Sequence, residues 1–161
     1  MVRDAHGAFV GYAVYAGYGR VGGALRIIDD VAVVLPAVTT GFFDMREAPA
    51  LGYPMADCAG QPYLLSGSYL SVVQAASTMG NQAIFSLGEG TDPVSVKSVR
   101  PGTEGYDPYL ATICGKWMRT RIRLLQLHSH TPTTFGPLQP ARVLDLDTLG
   151  LVPPFRVDSP Q

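Results

Sequence analysis

Glycine and proline punctuate this chain from one end to the other: 18 glycines and 13 prolines are spread over 161 residues instead of marking one flexible linker. Both are poor guests inside a helix and good ones in turns. The apolar runs left between them are short and recur about every ten residues, the cadence of a β sandwich or barrel. The expectation is therefore an all-β fold of antiparallel strands in one domain over residues 1–161, with a Pro-rich extended arm over roughly 131–161. At 17.2 kDa such a chain is long enough to bury a core without staples.

The runs themselves carry strand chemistry. Phe9-Val10-Gly11-Tyr12-Ala13-Val14-Tyr15 is rich in β-branched and aromatic residues and leads into Gly17-Tyr18-Gly19, which reads as a strand entering a hairpin. Leu25 to Ile28 and Val31 to Leu35 are two more strands about a turn at Asp29-Asp30, the second expected to stop at Pro36, which has no N–H for a ladder. Gly41-Phe42-Phe43 is a short apolar piece, and Pro49 to Pro62 reads as loop. Tyr63 to Leu65, Tyr69 to Val73, Ala83 to Leu87 and Val94 to Val99 follow as strands. Ser71 to Met79, with Ala75-Ala76, is the one serious helical rival, although Gly80 follows it at once. In Trp117 to Leu125, arginines alternate with Met118, Thr120, Ile122 and Leu124, a period of two that marks a strand. The end, Gly150 to Phe155, contains Pro153-Pro154 and is expected to lie extended over a surface.

Composition narrows the function. Only 16% of residues are charged, against the usual quarter, and the net charge is -1, so the chain has no basic footprint for nucleic acid or an anionic membrane surface. The longest apolar run, Val31 to Val38, is far short of the ~20 residues of a spanning helix, so no membrane insertion is expected. The opening Met1-Val2-Arg3-Asp4 lacks the apolar core of a signal peptide, which suits a cytosolic product, an excised domain or a mature chain with an added Met. Cys58 and Cys114 are the only cysteines. In an oxidising compartment they would close a loop of about 55 residues and stabilise by ~4 kcal/mol; in cytosol they would be buried thiols.

Each candidate for chemistry has a plainer rival. Gly17-Tyr18-Gly19-Arg20-Val21-Gly22 matches the dinucleotide fingerprint GxGxxG, but a second strand-like run follows where the crossover helix should be, so a hairpin is the better reading. His128 and His130 in His128-Ser129-His130 would fall on one side of a strand, a spacing that can chelate a metal with an oxygen from Asp145 or Asp147; exposed imidazoles at a strand end are the rival. No serine sits in a GxSxG elbow, and nothing in the sequence supplies a base beside either cysteine. Arg119, Arg121 and Arg123 form a basic stripe able to grip a glycan-borne or other anionic ligand by forked hydrogen bonds; a solvated outer face is the rival. Tyr12, Tyr15, Tyr18, Tyr53, Tyr63, Tyr69, Tyr106 and Tyr109 are numerous enough for a glycan-stacking or protein-contact surface.

Three pieces taken together, Asp4-Ala5-His6-Gly7 with Phe9-Val10-Gly11, Asp57-Cys58-Ala59-Gly60-Gln61-Pro62-Tyr63-Leu64, and Leu149 to Phe155, resemble a diffuse group of bacterial and phage-associated β-rich domains found at the ends of surface or tail-fibre-like chains. The resemblance rests on turn chemistry and transfers no active site. It implies that Cys58 and Cys114 pair, and it favours a virion, cell-surface or extracellular location. The expected role is a non-enzymatic structural or adhesive module without a cofactor, self-associating or held by an assembly partner. The alternative is a small metal-dependent hydrolase using His128 and His130 with Asp145 or Asp147.

Overall fold

A computed structural model of the chain describes residues 1–15, 22–65, 74–103, 114–116 and 133–158. The described structure is all-β and predominantly antiparallel; its only helical turns are short 3-10 pieces at Ala56–Cys58 and Leu146–Leu149. The chain divides into two compact units, one of Met1–Arg46, Ser71–Phe85 and Val143–Gln161, the other of Glu47–Leu70 and Ser86–Arg142.

The first unit is built on a curled, half-barrel sheet. Its strands are β1 (Val2–Arg3), β2 (Phe9–Tyr15), β3 (Gly22–Ile28), β4 (Val31–Val38) and β5 (Gly41–Phe42), neighbours in that order. β2 and β3 pair antiparallel to Tyr15↔Gly22, and β3 and β4 from Gly23↔Pro36 to Ile28↔Val31. The β3–β4 turn is Asp29-Asp30, with φ of 50° and 63°. Two consecutive left-handed residues make the tight hairpin turn whose twist matches the strands, and aspartate tolerates that region better than most side chains.

β4 does not stop at Pro36; it runs on to Val38. The Pro36 carbonyl accepts from the Phe43 N–H, so the side on which proline lacks a donor is the side of the short β5, and the ladder to β3 is left intact. Further along that side β8 (Gln74–Ala75) pairs parallel with Val33 and Val34. β9 (Ser77–Met79) and β10 (Gln82–Ser86) form a hairpin, in a sheet with β15 (Ala141–Asp145). The described end of the helical rival, from Gln74 to Met79, is thus strand, and Tyr69 to Val73 lies outside the described residues.

Within the stretch read as an arm, the structure places β14 (Thr133–Pro137), β15, the 3-10 turn and β16 (Arg156–Val157). β16 adds to the edge of β1, with Val2↔Val157 and Arg3↔Arg156. Just before it, Phe155 donates its N–H to the Thr39 carbonyl and packs edge-on to Phe42, ring centroids 5.1 Å apart. A single extended segment therefore touches both edges of the sheet. Val2, Val10, Ala24, Ala37 and Phe155 make the buried cluster inside the curl.

The second unit has a four-stranded sheet in the order β13 (Gly115–Lys116), β12 (Ser98–Arg100), β6 (Leu51–Tyr53), β7 (Tyr63–Leu64), and a two-stranded ribbon of β11 (Pro93–Val96) with β14. β6 lies inside the stretch read as loop, and the expected Val94 to Val99 strand is two strands parted at Lys97. Val94, Val96 and Val99 form its core, packed by Tyr63, Leu65, Phe135 and Leu138. Gly52 is required there: a Cβ on it would meet Leu65 at 2.8 Å and Val96 at 2.9 Å.

Candidate functional site

Among the residues singled out from sequence, the cysteines are settled. Cys58 and Cys114 are joined in a disulfide, with Cα atoms 5.8 Å apart. The Cys58 turn is held from beneath by buried Ser98, whose Oγ accepts the Cys58 N–H at 2.9 Å while its hydroxyl donates to the Met55 carbonyl at 2.6 Å. Asp57 and Cys58 both take positive φ, 59° and 54°, an arrangement that needs such anchoring. Neither sulfur is available as a nucleophile in this state.

Asp145 and Asp147 come together, but around an amide. Asn81 Nδ2 donates to Asp145 Oδ1 at 3.1 Å and to Asp147 Oδ2 at 3.0 Å, and the same Asp145 oxygen accepts the Asp147 N–H as the cap of the 3-10 turn. This is turn-capping chemistry. His128, His130, Arg119, Arg121 and Arg123 lie outside the described residues, as does most of the Gly17 to Gly22 motif. The strands flanking that motif are adjacent and antiparallel, whereas the dinucleotide fingerprint belongs to a parallel strand–helix–strand unit. Among the described residues no group of three His, Cys, Asp or Glu side chains is placed to hold a metal ion, and no helix is long and apolar enough to cross a membrane.

Asp4 organises the terminal segments of the first unit. Its buried carboxylate accepts N–H groups from His6 and Ala8 at Oδ1 and from Val152 at Oδ2, at 2.7–3.0 Å. The bond from Val152, then those from Ala8 and His6, hold its pKa below the ordinary value of 3.8 against the opposing effect of burial. Two of the turn motifs seen in sequence, Asp4 to Gly7 and Leu149 to Phe155, are thus halves of one clip.

Two surfaces of the half-barrel stand out. On the outer face, the pairings Tyr12↔Leu25, Leu25↔Val34 and Val34↔Ala75 lay an apolar row across four strands, and Ile27↔Ala32 lies beside it. Val14, Gly23, Pro36 and Val38 complete that face over β2 to β4, where it carries no charged residue; Arg3, paired with Phe9, and Arg156 lie at its β1 edge. Tyr12 is 59% and Ile27 64% exposed, and Phe9 packs edge-on to Tyr12 at 5.3 Å. At the Tyr15–Gly22 end of the sheet a cavity of about 520 Å³ opens, lined by residues of both faces, Val2 and Ala13 as well as Val14 and Gly23. Several of its lining residues are small, Ala13 on β2, Gly22 and Gly23 on β3 and Ala37 on β4. Ala13 is exposed although it belongs to the inner face. Phe155 and Val157 form one wall, and Thr39 and Arg156 bring the polar groups.

Sequence reading named Tyr12 only as one of many tyrosines and passed over Ile27, Ala37 and Arg156. The signal for the outer face was present in the aligned apolar positions of the first three long strands. The cavity depends on register and on the return of the C-terminus, which periodicity does not reveal. Comparison of the chain with family models, curated proteins and solved structures finds no match.

Proposed function

We propose that the protein is a non-enzymatic structural module that associates with further copies of itself through the outer face of the half-barrel, as a subunit of a virion, tail-fibre or bacterial surface assembly. The observation that carries this reading is the uncharged row Tyr12–Leu25–Val34–Ala75 with Ile27 beside it. Three strands about 4.8 Å apart and six residues of about 3.4 Å each give a footprint of roughly 14 by 20 Å, close to the largest apolar patch of an ordinary monomer, which is often functional. A second copy is the fitting occupant because the apolar row over β2 to β4 is complementary to itself across a twofold axis, with the charged Arg3–Asp158 pair and Arg156 at its edge. Sheets packed face to face in this way interdigitate about 10 Å apart. The disulfide supports a location outside the reducing cytosol.

Sedimentation of the native chain and of Ile27→Asp tests the reading. Ile27 is exposed in the protomer, so the substitution should leave the melting temperature of the isolated chain nearly unchanged while weakening self-association about tenfold or more. Equal association of the two proteins would remove the outer face from the account.

A further inference from the structure

We propose that the segment from Leu151 to Asp158 is an exchangeable strap, docked on the β1 edge of its own chain or on that of a second copy. In the closed chain it crosses the half-barrel from one sheet edge to the other. Val152 donates its N–H to Asp4 and accepts from Ala5, Phe155 donates to the Thr39 carbonyl, and Asp158 donates to the Met1 carbonyl while its carboxylate pairs with Arg3. Each of these contacts joins the strap to the strands and turns of the half-barrel, and none of them lies within the strap. A strap from a second copy would make the same set, so exchange alters the hinge and leaves the contacts intact.

The closure is shallow. The ladder of β16 on β1 has two pairs, Val2↔Val157 and Arg3↔Arg156, and the second sets two arginines directly opposite each other, which weakens it. Phe155 is buried and Leu151 half-buried, whereas the strap's other residues are exposed. The cavity of about 520 Å³ borders Phe155, Arg156 and Val157 as well as Val2, so the strap is not packed tight against the sheet there and forgoes dispersion contacts. Undocking therefore uncovers little besides Phe155. The hinge is open too: Gly150, with φ of 63°, caps the 3-10 turn, and nothing lies within 4 Å of where a Cβ would stand. From it the strap, fully extended, reaches about 26 Å. The strap of a second copy is the fitting occupant because the site reads this sequence. Val2, Val10, Ala24 and Ala37 receive Phe155, Asp4 receives the Val152 N–H, and Arg3 receives Asp158. The exchange uses the β1 edge and is independent of the contact proposed for the apolar row.

Mixing two full-length variants, Arg3→Cys and Arg156→Cys, tests the exchange. The two positions face each other across the ladder, so between the two proteins only an exchanged strap sets the new thiols opposite one another. Arg156 is exposed and the Arg3–Asp158 pair lies at the surface, so both variants should stay folded, which melting curves check. Under mild oxidation by glutathione disulfide the covalent heterodimer, recognised by its intact mass, should exceed either homodimer roughly tenfold or more, because register partners meet at a high effective concentration. Ile27→Asp, added to both proteins, should leave that excess unchanged, which separates the exchange from the outer-face contact. A heterodimer no more abundant than the homodimers, no covalent dimer at any concentration, or an excess that vanishes with Ile27→Asp would overturn the proposal.

Discussion

The β3–β4 hairpin of the first unit keeps register over six pairs, from Gly23↔Pro36 to Ile28↔Val31, whereas the longest described ladder of the second unit, β11 with β14, pairs four residues across an irregularity. The first unit holds itself by backbone ladders and by an extended segment bridging the sheet edges. In the second, individual side chains and a covalent link take over: the disulfide, Ser98 beneath it, and Thr103, whose hydroxyl oxygen accepts the Ala48 N–H while its own N–H donates to the Ala48 carbonyl. The short ladders of the second unit lean on such anchors more than the long ones of the first.

The largest effect that would sharpen this contrast is removal of the cross-link. The double variant Cys58→Ser, Cys114→Ser opens a loop with a separation of 56 residues and should lose about 4 kcal/mol in denaturant titration. A loss near zero would mean that the second unit stands on its short ladders after all. Ser98→Ala strips partners from the Cys58 N–H and the Met55 carbonyl and should cost about 1–3 kcal/mol, provided the disulfide is kept. If the variant is as stable as the native protein, the turn at Asp57-Cys58 is held by the sulfurs alone.

In the first unit the Asp4 clip gives a pH signature. Its carboxyl is held below its ordinary value when folded, so its stabilisation is present above about pH 4 and is lost as the pH falls through the folded-state pKa. Asp4→Asn should therefore be less stable than the native protein at neutral pH, with the gap closing in acid. A constant gap across the range would assign the loss to shape instead of charge. Asp30→Gly is the smallest change: it relieves a left-handed aspartate at φ 63° and should raise stability by about 1 kcal/mol or less, read as a small rise in melting temperature.

These two regions were unequally legible in the sequence, and for the same reason. Phe9 to Tyr15 and the Asp29-Asp30 turn could be placed because a long hairpin has a period and a turn signal. Pro36 misled because its missing donor falls on the side of a two-residue neighbour, a matter of which edge it faces and not of residue type. Leu51-Gly52-Tyr53 was hidden because the glycine that reads as loop is there to let Leu65 and Val96 approach. Of the candidate sites, the cysteine pair and the terminal turn motifs were visible as local chemistry. The outer face was half visible, since Tyr12 stood out but its partners did not. The cavity was invisible, since its lining joins residues of three strands to a segment more than a hundred residues away in sequence.

The most direct test of the central claim is the mass of the native chain in solution by light scattering over a range of concentrations. Association through the outer face predicts a mass that rises above 17.2 kDa to a multiple of it. A mass that stays at 17.2 kDa at the highest concentration reached would contradict the claim.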